Sequence, residues 1–189
     1  MTRFARLVAC LIACLLPIGT SAQQNDPPNS VLLVATPDLL DPNFRQTVVL
    51  ATRTPDGQTV GVILNRPTEA RLDGWPEPLY EGGPVLRQTH IALFIAATAP
   101  AASAFHVLPG VYLSMHPDNV GALRSAPGPR MRLFTGFAGW APLQLESELE
   151  RGGWHVLPAS ENLLFLKDTA GMWRELLERA RAPGKKTPA

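Results

Sequence analysis

Beyond residue 14 this chain contains no cysteine, its only two being Cys10 and Cys14. Disulfides, cysteine nucleophiles and thiolate metal sites are therefore excluded from everything downstream. An excess of one charge is missing too: 17 Lys and Arg stand against 16 Asp and Glu. Such a chain offers no bulk attraction for polyanions, and no nucleic acid is expected as a partner. The four histidines, His90, His106, His116 and His155, form no HxH or HExxH spacing, so no metal site is expected. There is no GxSxG elbow, no serine that pairs obviously with His and Asp, and no basic recognition helix. No cofactor is expected.

The N-terminus carries the one segment built for targeting. Arg3 and Arg6 precede the apolar LVACLIACLLPI, and Thr20-Ser21-Ala22 is a small-residue cleavage pattern. This is the layout of a secretory signal peptide over residues 1–22, and its apolar stretch is short for a membrane span. No transmembrane span is expected after processing. Cleavage after Ala22 predicts a periplasmic or exported protein. The alternative is a lipoprotein, because Leu11-Ile12-Ala13-Cys14 resembles a lipobox that would place a lipid anchor on Cys14. Cleavage after Ala22 leaves 15 basic against 16 acidic residues, a net charge of −1, and no thiol.

Residues 23–30 read as a polar linker and 183–189 as a disordered tail, leaving one domain over 31–182. With 46% hydrophobic and 17% charged residues, that length supports a folded core. Its first half is strand-like: Val31–Ala35, Thr47–Ala51 and Val60–Leu64 are apolar and β-branched, and the last two flank TPDGQ, a hairpin turn. Further strands are expected over His90–Ala96, Gly110–Leu113 and Met131–Phe134. Helices follow: one from His116-Pro117-Asp118, one over Pro142–Arg151, and one over Ala170–Arg181 capped by Asp168 or Thr169. Early strands and late helices point to α+β.

Four polar stretches could carry chemistry, and each has a structural reading beside it. In PDLLDPNFR, residues 37–45, two carboxylates and an arginine could hold a ligand. A turn at Asp41-Pro42 anchored by Phe44 explains the string more fully. Asn65-Arg66-Pro67-Thr68 ends a strand; Arg66 could fork onto a carboxylate or phosphate, or make a structural ion pair while Asn65 shapes the turn. Glu81-Gly82-Gly83-Pro84-Val85 permits close backbone approach, but it lacks phosphate-loop residues. In TGFAGWAPLQLESELERGGW, residues 135–154, a glycine-rich helix entry could bind an anion. Glu146, Glu148 and Glu150 oppose that, so a strand-to-helix packing corner with Trp140 and Leu145 inward is expected.

Taken in order, LLVATPDLLDPNFRQTVVLAT, GVILNRPT, YEGGPV and LFTGFAGWAPLQLESELERGGWHVLPA resemble the YqgE/AlgH family from about residue 31 to residue 180. The resemblance implies a mostly antiparallel, bifurcated sheet forming a pseudo-barrel, with helices packed around it in a single domain. It carries no established reaction. The transcriptional-regulator label attached to some members rests on a genetic link to alginate production, and an exported chain cannot sit on a promoter. After NRPT, where relatives have a short apolar helix, EARLDGWPEPLY holds two prolines, so that helix is expected to be shortened or rearranged.

The leading expectation is a non-enzymatic binding protein of the bacterial envelope, with an unidentified protein or small-molecule partner and an open oligomeric state. Its candidate surface is Asn65, Arg66, Gly82, Gly83, Trp140 and Gln144. The alternative is a small hydrolase-type enzyme using the same polar strand ends, and a regulator is the weakest reading. An accessible Arg66 in a cleft would favour binding or catalysis. Burial against Asp41 or Glu148 would make Arg66 structural.

Overall fold

The computed structural model describes residues 28–73, 75, 77–126 and 130–182. The segment read as a signal peptide, with Cys10 and Cys14, most of the expected linker, and the expected tail lie outside the described residues. In chain order the elements are β1 (Val31–Ala35), β2 (Val48–Arg53), β3 (Thr59–Ile63), β4 (Tyr80–Glu81), β5 (Val85–Ile95), β6 (Phe105–Leu108), β7 (Val111–Ser114), α1 (Pro117–Ser125), β8 (Met131–Trp140), α2 (Gln144–Glu150), β9 (Trp154–Pro158), α3 (Glu161–Leu164) and α4 (Met172–Arg181).

The strands form one sheet in the order β6-β7-β5-β8-β3-β2-β1-β9, with β4 pairing β8 off that path. All pairings are antiparallel except β4 with β8. The sheet branches at β8. Residues 131–135 pair with β5, Phe134 and Thr135 also meet β4, and Ala138–Trp140 pair with β3. It does not close, because β6 and β9 remain edges. The expected α+β, mostly antiparallel, branched architecture is therefore present.

Strands β1 to β3 read as continuous apolar runs because both of their faces are covered. Leu32, Val34, Val48, Leu50 and Val62 point into a core closed by Leu164, Met172, Leu176 and Leu177 of α3 and α4. Their neighbours Leu33, Ala35, Val49, Ala51 and Ile63 face a second core with Trp140, Leu145 and Trp154. Alternation puts successive side chains on opposite faces, so a strand covered on both sides has no polar position to show. Each fully buried aliphatic side chain contributes about 1.5–3 kcal/mol. A third cluster packs Val120 of α1 against Ala92, Phe94 and Leu133.

The TPDGQ hairpin is present, with Gly57 at φ 82° and Thr54 N–H bonded to the Gln58 carbonyl at 2.8 Å. Hydrogen bonds from Thr54 Oγ1 and Gln58 Nε2 hold the Asp56 carboxyl below the usual carboxylate range. Pro117 stands in the first turn of α1, and the His116 side chain caps it by accepting from Asp118 N–H at 3.3 Å. Helix α4 matches the 3.6-residue period, burying Met172, Leu176 and Leu177, but it starts at Met172 with Gly171 at its N-cap and no side-chain cap. Asp168 Oδ1 instead accepts from Ala170 N–H at 3.0 Å, in the turn before the helix.

Several boundaries differ from expectation. Strand β8 continues six residues past Phe134, through both glycines to Trp140, so TGFAGW is sheet rather than a corner. The corner follows at Ala141–Leu143, where Leu143 takes φ 67° and α2 begins at Gln144 instead of Pro142. Strand β5 starts at Val85, and β6 and β9 carried no clear signal, being short and partly exposed. Between Thr68 and Leu79 the described residues form no helix. Backbone bonds from Thr68 N–H to Leu79 O and Leu79 N–H to Ala70 O fold the segment back on itself. Asn29, read as linker, is tied to the end of β2: its Oδ1 accepts from Thr52 Oγ1 at 2.6 Å and its Nδ2 donates to Arg53 O at 3.2 Å.

Candidate functional site

The two glycine motifs meet, and their meeting explains both. Gly82 lies between β3 and β8, its carbonyl accepting from Ile63 N–H at 2.9 Å and its N–H donating to Thr135 O at 2.9 Å. A β-carbon on Gly82 would stand 2.2 Å from the Gly136 carbonyl oxygen, and one on Gly83 2.3 Å from the Phe137 backbone. Gly136 adds φ 69°, with Gly83 O 2.5 Å from where its own β-carbon would sit. Only glycine on both strands lets the backbones approach this closely. Gly82 and Gly83 are buried, so this pair serves the branch point of the sheet.

Asn65 and Arg66 close the Asp41–Gln46 loop from below. Asn65 Oδ1 accepts from Val48 N–H at 2.8 Å and its Nδ2 donates to Gln46 O at 3.0 Å, extending the pairing where β2 and β3 part. Gln46 sits at φ 57°, a left-handed conformation costing a non-glycine residue about 1–2 kcal/mol. Arg66 donates to three loop carbonyls, Asn43 at 2.7 Å and Pro42 and Arg45 at 3.3 Å, and lies 3.8 Å from the Glu81 carboxylate. Asp41 fixes the loop from within, accepting from Asn43 N–H at 2.7 Å. Arg66 is thus bonded to the Asp41 loop's backbone rather than to the Asp41 carboxylate, and its side chain keeps 24% exposure.

The upper side of the same loop carries Phe44. Its ring stacks on Trp140 at 5.8 Å between centroids and meets Trp154 edge-on at 5.7 Å. Both indoles donate to one oxygen, Glu148 Oε2, at 3.0 and 2.9 Å, while Gln144 Nε2 donates to Oε1 at 3.1 Å. Gln144 Oε1 accepts from Ala141 N–H at 3.1 Å. Glu148 therefore gathers three N–H donors, none from a cation, and locks α2 onto the sheet. Glu146 faces outward and pairs with Arg53. The structure therefore joins Arg66, Trp140 and Gln144 through the Phe44 loop, and Gly82 and Gly83 through the neighbouring strand, in one structural network.

Among the openings of the described surface, two are each lined by more than one arginine. The first, about 370 Å³, is lined by Arg45, Gln46, Asn65, Arg66, Ala170, Trp173 and Arg174. It contains Asn65 and Arg66 but not Trp140 or Gln144. Trp173 is held in place by its indole N–H on Ala35 O at 2.8 Å. Arg45 and Arg174 are exposed and make no ion pair with another described residue.

The second opening, about 260 Å³, lies between β4, β8 and the segment after α3, and none of its residues belongs to the candidate surface drawn from the motifs. At its base is Arg132, only 5% exposed. Arg132 donates to Leu64 O at 3.3 Å and to Leu166 O, and its guanidinium lies 4.3 Å from the Tyr80 ring centroid. Burial pulls its pKa below the ordinary arginine value, opposed by Tyr80 and Glu77; arginine nevertheless stays charged. The sequence clue was available: a single arginine in the otherwise apolar run Met131–Phe134.

Among the described residues no group of three His, Cys, Asp or Glu side chains could hold a metal ion. No described helix is long and apolar enough to cross a membrane.

The comparisons agree with this architecture. The family model described as DUF179, AlgH-like, matches residues 32–184. A UPF0301 protein of Thermobifida fusca is 36% identical over 167 residues, covering 78% of this chain and 84% of its own. One from Mycobacterium tuberculosis is 32% identical over 165 residues, covering 80% and 82%. Among solved structures, the Pseudomonas aeruginosa AlgH protein superposes with TM-score 0.66 at 27% identity, covering 86% of this chain and 93% of its own. A Corynebacterium diphtheriae protein does so with TM-score 0.69, also at 27% identity, covering 85% and 91%. Sequence order, branched sheet and glycine crossing together with these matches place the chain in the AlgH-like family.

Proposed function

We propose that this AlgH-like protein is exported and acts by binding, engaging an acidic protein segment at the recess formed by Arg45, Asn65, Arg66, Trp173 and Arg174. The observation that carries this reading is the charge of the recess. Three arginines line it and no carboxylate does, although Glu81 approaches Arg66 from outside. Arg66 is committed to the loop carbonyls, so the exposed Arg45 and Arg174 are the groups that reach a partner. Guanidinium groups pair with carboxylates through two parallel N–H bonds, and Trp173 lines the same recess with apolar surface. The near-neutral net charge favours a local acidic contact over a nucleic-acid backbone. Export rests on the N-terminal arrangement of Arg3, Arg6, the apolar run and Thr20-Ser21-Ala22.

The test is a pull-down from the bacterial envelope fraction with wild type and an Arg45→Glu, Arg174→Glu double variant, with circular dichroism checking that both fold. An acidic partner captured at low salt and lost from the double variant is expected. Identical partner sets for the two proteins would remove the recess from the proposal. Cell fractionation tests export separately, and recovery of the protein only in the cytoplasm would refute it.

A further inference from the structure

We propose that the cleft at Arg132 is a second, independent binding site, and that it takes a small organic carboxylate seated on the Arg132 guanidinium. Four separate segments build it: Arg132 and Met131 from β8, Tyr80 from β4, Asn162 from α3, and Phe165 and Lys167 beyond it, with Glu77 at the approach to β4.

Charge is the first argument. Arg130, Arg132 and Lys167 line the cleft against a single carboxylate, Glu77. Arg130 is already paired with Glu161. Arg132 has no such partner: none of the ion pairs among the described residues includes it, although it is 95% buried. A buried cation is ordinarily paired with an anion, because removing it from water is unfavourable. Here two backbone carbonyls, the Tyr80 face and the longer-range field of Glu77 partly compensate, without a direct ion pair. The two carbonyl bonds use two of the five guanidinium N–H groups, which leaves donors for an incoming anion.

Size and wall chemistry narrow the ligand. About 260 Å³ lies just under the usual range for drug-sized ligands and suits a molecule of roughly benzoate size. Tyr80, Met131 and Phe165 supply apolar and aromatic surface beside the guanidinium, which rewards a carbon frame attached to the anion. Glu77 disfavours a doubly charged phosphate, since its repulsion grows with the ligand's charge. Lys167, exposed at the rim, adds attraction without being part of the packed core.

The test titrates the purified protein with benzoate, acetate and inorganic phosphate, followed by arginine side-chain NMR and by calorimetry. Benzoate is expected to shift the Arg132 Nε resonance and the Tyr80 ring signals saturably, and more tightly than acetate or phosphate. Lys167→Glu is expected to weaken benzoate about tenfold, the equivalent of about 1.4 kcal/mol. Arg132→Lys is expected to abolish binding, because it keeps the charge and loses the fork. Arg132 is buried and its replacement could unfold the chain, so exposed Lys167 keeps the test decisive. The absence of a saturable shift up to the solubility limit of benzoate would overturn the proposal. So would unchanged affinity in Lys167→Glu, or phosphate binding more tightly than benzoate.

Discussion

Replacing Glu148 by alanine tests the network that joins α2 to the sheet tryptophans Trp140 and Trp154 without touching any aromatic ring. Trp140 and Trp154 are 2% and 4% exposed, and both indole N–H groups end on Glu148 Oε2. Each buried donor left without an acceptor costs about 1–3 kcal/mol. Glu148 itself is half-buried, so water reaches part of the vacated space, and the expected loss for Glu148→Ala is about 2–4 kcal/mol. In a domain of this size each kcal/mol lowers Tm by about 2–4 °C. Glu148→Gln separates hydrogen bonding from charge. Its amide oxygen can still receive both indoles, while its NH2 group opposes the Gln144 amide that now donates to Oε1. That variant is expected to lose only about 1 kcal/mol. Urea unfolding followed by tryptophan fluorescence gives both values, and near-UV circular dichroism reports whether Phe44, Trp140 and Trp154 still pack. Equal losses for the two variants, within about 0.5 kcal/mol, would refute the role assigned to the carboxylate oxygen.

Gly82→Ala places a methyl group 2.2 Å from the Gly136 carbonyl, where only backbone movement can relieve the clash. A loss of about 3 kcal/mol or more is expected, read as a sharp fall in Tm or in soluble yield; an unchanged melting curve would mean that the strands can part at no cost. Arg66→Ala removes three bonds to the Asp41–Gln46 loop and is expected to cost about 1–3 kcal/mol. Limited proteolysis should then cleave within residues 41–46 first, and an unaltered digestion pattern would show that Asn65 holds the loop alone.

Read locally, the chain already specifies much of this protein. The unbroken apolar runs at 31–35, 48–51 and 60–64, the Pro55-Asp56-Gly57 turn and the 3.6-residue period of α4 depend on neighbours a few positions away, and each appears where its pattern lies. The family, too, is legible in the order of the motifs. What those motifs do was settled only in three dimensions. Gly136 and Gly139 read as a strand-to-helix corner because glycine weakens a strand, yet Gly136 is required by Gly82 and Gly83, some fifty residues earlier in the chain, and β8 runs through them. Arg66 has the chemistry of a ligand-binding residue, and its commitment to loop carbonyls depends on where residues 42–45 return. Arg132 is the converse: one charge in an apolar strand, made tolerable by Leu64, Leu166 and Tyr80 from elsewhere in the chain. Sequence determines which faces are apolar and which turns are allowed, because those energies are local. Whether a glycine, an arginine or a glutamate serves the scaffold or faces an open cleft is decided by the distant groups that folding brings against it.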